Sequence, residues 1–178
     1  YWISEANVFS VESYYKPYLH VYDLNPRADS DNIDSTMAIS GKGTAYGIEL
    51  LYRINRNKVA GWLSYTYSQI YREIDLNGDG VLWEEKEEYP AKYNKPHSFN
   101  AVLSYLMDEK HTIGLACVAS SGGTYTPVIG KTYQTGIGSY GSLPKPYINL
   151  GNIYGARNSA RYPQYFRLDI SLSYEKIL

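Results

Sequence analysis

Apolar and polar residues alternate along most of this chain, and helical periodicity is scarce. Over 44–55, Tyr46, Ile48, Leu50, Tyr52 and Ile54 fall on one side, with Ala45, Gly47, Glu49, Leu51 and Arg53 on the other. Over 58–73, Val59, Gly61, Leu63, Tyr65 and Tyr67 oppose Ala60, Trp62, Ser64, Thr66 and Ser68. The same rhythm returns at 97–108 (Phe99, Ala101, Leu103, Tyr105, Met107) and at 164–175 (Phe166, Leu168, Ile170, Leu172, Tyr174). Period two marks a strand whose two faces meet different surroundings. Two weaker strands are expected at 7–23, where Pro17 demotes or bends the second half, and at 110–121, which is short and small-sided.

The connections alternate as regularly as the faces. Residues 55–58 and 108–110 make tight turns, whereas 24–43, 74–96 and 122–163 read as long loops. Compact soluble domains rarely hold several structureless loops beyond about 12–15 residues. Outer-membrane barrels do, with short turns on the periplasmic side and long loops outside. The expected fold is therefore all-β: an antiparallel transmembrane β-barrel segment in which 1–178 form part of a single barrel domain. A soluble sandwich alternates in the same way with its apolar face inward, and stands as the alternative. Six strands fall short of the ~8 at which closed barrels begin. Either a loop hides two more strands, or the chain is part of a larger barrel.

Composition sharpens this picture. There are 21 Tyr against 3 Phe and 3 Trp in 178 residues, which suits rings placed where an apolar body meets a wet edge. A formal net charge of -1 lacks the basic excess of a nucleic-acid binder. The single Cys117 rules out an intrachain disulfide framework and a Cys-based zinc site. The chain starts at Tyr1 without a Met or a signal peptide, so a processed chain or a piece of something longer is expected.

Several segments, in order, resemble a known family. They are Gly43-Thr-Ala-Tyr-Gly-Ile-Glu-Leu-Leu51, Ala60-Gly-Trp-Leu-Ser-Tyr-Thr-Tyr-Ser68 and Tyr89-Pro-Ala-Lys-Tyr-Asn-Lys-Pro-His97 with Phe99-Asn-Ala-Val-Leu-Ser-Tyr105. Ser121-Gly-Gly-Thr-Tyr-Thr126 and Tyr165-Phe-Arg-Leu-Asp-Ile-Ser-Leu-Ser-Tyr174 complete the set. Together they resemble the C-terminal barrel strands of TonB-dependent outer-membrane receptors, of the Bacteroidetes type related to the SusC class. The resemblance implies a bacterial outer-membrane location and energy-coupled import of a bulky or scarce nutrient. It also implies contact with outer-membrane lipid, a TonB complex acting through a plug absent from this chain, and a surface lipoprotein lid as a further partner. The family continues beyond its Arg-Leu-Asp strand, and Glu175-Lys-Ile-Leu178 lacks a terminal aromatic residue, so the resemblance implies a fragment.

The sharpest local motif is Asp75-Leu-Asn77-Gly-Asp79-Gly80, the first half of an EF-hand-type calcium loop. Position twelve, ordinarily a bidentate Glu, is Lys86, with Glu84, Glu85 and Glu87 close by. Asp75, Asn77, Asp79, Glu84 and Glu85 are therefore candidate calcium ligands in an external loop flanked by strands. The competing reading is a metal-free acidic turn. Glu49, Arg53, Arg167 and Asp169 are expected to line the lumen. Tyr125, Tyr133, Tyr140 and Tyr147, in a Gly- and Asn-rich stretch, are candidates for contact with a sugar or peptide. His20, His97 and His111 lack ligand spacing, and no nucleophile elbow, phosphate loop or zinc motif is present, so no enzymatic role is expected. Besides the transporter segment, two functions remain open: a calcium-stabilised sandwich that binds glycans, and a small passive pore.

Overall fold

The structure, a computed structural model, describes residues 2–4, 7–24, 38–75, 86–140 and 143–175. These contain twelve strands and no helix. They are β1 (Trp2–Ser4), β2 (Asn7–Leu24), β3 (Ala38–Arg56), β4 (Val59–Asp75), β5 (Lys86–Pro90) and β6 (His97–Leu106). The remainder are β7 (His111–Ser120), β8 (Thr124–Tyr125), β9 (Val128–Tyr140), β10 (Leu143–Tyr154), β11 (Ala160–Arg161) and β12 (Tyr165–Tyr174).

The main sheet is antiparallel, in the order β1-β2-β3-β4-β6-β7-β12, with β5 also paired to β4. The six alternating segments read from the sequence are its long strands β2, β3, β4, β6, β7 and β12. The two tight turns lie together at one end. Arg56 pairs with Val59 across a two-residue turn in which Asn57 takes a positive φ of 52°, a conformation Asn tolerates and hairpins require. At the other turn the Asp108 carboxylate accepts the backbone N–H groups of Lys110 and His111, both at 2.9 Å. Pro17 does not end β2. It pairs with Thr44, the register slips between Tyr18 and Val21, and β1 reaches only Asn7 and Val8 on the far side. Among the described residues no strand pairs with β2 on that side at Pro17, an edge position of the kind a proline occupies.

The described parts of the long connections at 74–96 and 122–163 are not structureless, which corrects the expectation for them. Between β4 and β5, Asp75 pairs with Lys86. β5 and β6 then run along β4 as one strand with an insertion: seven steps from Pro90 to His97 oppose four from Tyr71 to Tyr67. The stretch 122–163 continues the β7–β12 hairpin. Tyr165 opposes Ser120 and, five residues further on each side, Ala160 opposes Tyr125 in the same register. Beyond that, seven steps from Ala160 to Ile153 face five from Tyr125 to Gly130, so two extra residues bend the chain before β9 and β10 pair with each other. The stretch does hide two long strands, but they extend outward and do not widen the main sheet. Residues 25–37 lie outside the described residues.

Register places the side chains in rows. Phe9, Tyr52, Leu63, Ala101, Cys117 and Leu168 stand side by side across β2, β3, β4, β6, β7 and β12. Val11, Leu50, Tyr65, Phe99, Ala119 and Phe166 form the row toward the long connections. Asn7, Ile54, Gly61, Leu103, Leu115 and Ile170 form the row toward the turns. Tyr105 and Tyr174 bound this band at the turn end, and Tyr15, Tyr46, Tyr67 and Tyr71 at the other. From Phe166 to Tyr174 the band spans eight residue steps of β12, about 27 Å along the strand at ~3.4 Å per residue. The opposite face carries Ser10, Leu51, Ser64, Asn100, Val118 and Arg167 in one row and Glu12, Glu49, Thr66, Ser98, Ser120 and Tyr165 in the next.

Nothing in the described structure covers the apolar band. Leu103 in the middle of the sheet is 38% exposed and Ile170 on β12 is 72% exposed. The two outer sides of the sheet, β1–β2 and β12, do not pair with each other among the described residues, so the sheet is open.

Candidate functional site

Buried residues gather at the long-connection end of the sheet. Ile74, Tyr89, Ala91, Asn94 and Thr124 are at most 3% exposed, while among the described residues the wall below contributes only Ala45 and Ala101 as buried hydrophobic residues. The reason is local. The insertion 91–96 folds back on β4, with Ala91 N–H donating to Ile70 O at 2.9 Å and Ser68 N–H donating to Pro96 O at 3.0 Å. From the other side, Thr124 donates its N–H to Lys92 O and its hydroxyl to Ala91 O, the latter at 2.7 Å. The Arg161 guanidinium reaches Asn94 O at 2.7 Å. Gly122 permits this approach, since a Cβ there would meet Tyr162 O at 1.9 Å.

On this support stands a polar cluster drawn from five segments. Asp23, near the end of β2, accepts a hydrogen bond from Arg72 Nη1 of β4 at 2.9 Å and another from the Tyr89 hydroxyl of β5. Arg157, in the β10–β11 connection, donates to the Tyr89 hydroxyl at 3.2 Å and lies 4.8 Å above its ring. Its Nε sits 3.8 Å from Glu87 Oε2. Arg72 also donates through Nη2 to the Tyr93 hydroxyl at 3.1 Å. Asn158, at a positive φ of 51°, donates its amide to Pro90 O at 2.9 Å and its backbone N–H to the Thr126 hydroxyl at 3.0 Å. Burial pushes the Tyr89 hydroxyl up to about 12, reinforced by its bond to the Asp23 carboxylate, so it stays a proton donor at ordinary pH. A cavity of about 430 Å³ opens here between Asp23, Arg72, Lys92, Tyr93, Thr126, Arg157 and Asn158. A second, of about 300 Å³, shares Arg72 and Tyr93 and is lined by Tyr18, His20, Val21, Tyr22 and Tyr71.

The residues singled out from the sequence are placed as follows. Glu49, Arg53, Arg167 and Asp169 share the polar face. Arg167 and Asp169 form an exposed ion pair at 2.9 Å. Glu49 stands directly opposite Glu12, a like-charge pairing that costs stability in a sheet. Of the calcium-loop candidates, Asp75 is the last residue of β4, while Asn77, Asp79, Glu84 and Glu85 lie outside the described residues. The elements flanking that loop are strands, as the alternation implied. Tyr125 is half-buried, its ring 4.6 Å from that of Tyr162, whereas Tyr133 on β9 is exposed. Tyr140 and Tyr147 belong to β9 and β10 opposite Leu143 and Gly136, and their side chains lie outside the described residues. The Asp23–Arg72–Tyr89–Arg157 cluster was not anticipated. Its members lie up to 134 residues apart, at 23 and 157, and no local spacing signals it.

Comparison with protein-family models, with curated proteins and with solved structures found no match.

Proposed function

We propose that this chain is part of the wall and outer rim of a TonB-dependent outer-membrane transporter that imports a bulky or scarce nutrient. The observation that carries the reading is the largely apolar band across six strands, bounded by tyrosines, on a face that nothing in the described structure covers. Val11, Ile48, Leu63, Leu103, Leu168 and Ile170 are among the large side chains standing on it more than a third exposed. Leaving such a face to water forgoes on the order of 10–20 kcal/mol of burial. That equals or exceeds the ~5–15 kcal/mol by which domains are stable at all. A sandwich would cover it with a second sheet, yet β9–β10, the largest other sheet described, prolongs the β7–β12 hairpin. Hydrocarbon offsets the cost over a band about 25 Å tall, and a ~27 Å strand length tilted by ~40° rises ~21 Å, most of that height.

Turns at one end and long hairpins at the other supply the orientation, with the rim cluster outside. An open sheet in lipid leaves edge N–H and C=O groups unsatisfied, so β12 and the β1–β2 side take neighbouring strands in this reading. A plug and the TonB complex supply gating and energy. A cysteine scan of β12 in a Cys117→Ala background tests the wall. In isolated outer membranes, Leu168→Cys and Ile170→Cys should resist a water-soluble maleimide and react with a membrane-partitioning one, and Ser171→Cys and Ser173→Cys should do the reverse. A chain that is a monodisperse monomer in detergent-free buffer overturns the wall. Uptake of a panel of siderophores, vitamins, oligosaccharides and peptides tests the transport. Loss of one uptake on deleting the protein, reproduced by a proton uncoupler, supports an energised transporter, and insensitivity to the uncoupler points to a passive pore.

A further inference from the structure

We propose that the two adjoining rim cavities form a subsite for a small acid with a ring-shaped body, its acid group held by Arg72, Lys92 and Arg157. The larger cavity, about 430 Å³, is lined by these three cations and by one carboxylate, Asp23. Its other lining residues are Tyr93, Thr126 and Asn158, whose polar character suits the substituents of such a molecule.

The two arginines are held in place before any ligand arrives. Arg72 is fixed through Nη1 to Asp23 and through Nη2 to Tyr93 at 2.9 and 3.1 Å, and its guanidinium carries five N–H donors in all. Arg157 lies over the Tyr89 ring, 4.8 Å from its centroid, while donating to the Tyr89 hydroxyl. Planar, oriented guanidinium groups suit the two oxygens of a carboxylate, and their prior immobilisation lowers the ordering cost of binding. Lys92 is exposed and adds a third positive charge to the lining. The second cavity, about 300 Å³, opens from Arg72 and Tyr93 onto Tyr18, Tyr22 and Tyr71, whose ring faces suit a sugar or aromatic ring. The acid group and the ring thus have separate, adjacent places.

The inference does not rest on the membrane reading, since the cavities lie above the apolar band. The test is calorimetric titration of the full-length protein, in detergent, with sodium glucuronate and sodium benzoate at matched ionic strength. Glucose and benzyl alcohol serve as the neutral counterparts. Either acid should bind while its neutral counterpart does not; glucuronate identifies a sugar acid and benzoate an aromatic one. Arg157→Gln should abolish measurable binding. Lys92→Gln, which removes no described side-chain bond, should weaken it about ten-fold, and Lys92→Glu should weaken it further. The proposal is overturned if both acids bind no better than their neutral counterparts, or if Lys92→Glu leaves the affinity unchanged.

Discussion

The rim and the wall of this molecule are built from the same antiparallel strands, yet they are held by different means. At the rim, Ile74, Tyr89, Ala91, Asn94 and Thr124 are buried by other parts of the chain, and side-chain hydrogen bonds link segments far apart in sequence. In the wall, the backbone ladder is complete between neighbours, but the large side chains of one face remain exposed. The rim carries its own small core. Among the described residues the wall's apolar face and its two outer edges are left uncovered. A regular ladder is therefore no measure of burial: the irregular region, with its insertion and bends, is the one that buries its own side chains.

The largest effect that would sharpen this contrast comes from charge on the apolar face. Leu168→Arg should cost about 2–4 kcal/mol of folding in bilayers, whereas Ser171→Arg on the opposite face should change it by under about 0.5 kcal/mol. Both are read from urea titrations of the folded fraction in liposomes, and equal effects would break the distinction between the faces. Next come substitutions in the rim. Gly122→Val forces a side chain against Tyr162 O and should cost about 1–3 kcal/mol. Thr124→Val leaves the buried Ala91 carbonyl without its hydroxyl donor, at about 1–3 kcal/mol. Hydrogen exchange should report both at 86–96 and 121–127 while the wall amides stay protected. Exchange rising across the whole sheet would mean that rim and wall are one cooperative unit.

Protonation offers a finer probe. The Tyr89 hydroxyl titrates at about 12 when folded and near the ordinary ~10 when unfolded. Its contribution is fully present below pH ~10 and is lost as the pH rises through about 12, so the rim should loosen in that window before the wall does. Tyr89→Phe should remove the step, read by hydrogen exchange of the 86–96 amides across that pH window. The smallest effect is expected at the turn end. The N–H of Lys110, then the His111 side chain, hold the Asp108 carboxyl below the ordinary carboxylate range. Support from Asp108 is thus present above that ordinary range and is lost as the pH falls through the lowered value. Faster exchange of the Lys110 and His111 amides in acid, abolished by Asp108→Ala, would show it, and no acid dependence would remove Asp108 as the turn's anchor.

The wall was legible because its information is local. Alternation at Tyr46–Ile48–Leu50 and at Phe166–Leu168–Ile170 sets strand, face and phase together, since successive side chains in a strand must point to opposite sides. The tight turns were marked by Asn57 and Asp108, residues whose short polar side chains suit such bends. The long connections were misread because Gly, Pro and Asn, common in 122–163, interrupt the period without ending the pairing. Sequence alone therefore determined the all-β class, the six long strands and the two unlike faces. Only tertiary structure decided that β8–β11 prolong a hairpin, that 91–96 folds back onto β4, and that Asp23, Arg72, Tyr89 and Arg157 meet. Strand phase follows from neighbours two residues apart, whereas this cluster depends on the register of several strands at once, which no short window of sequence contains.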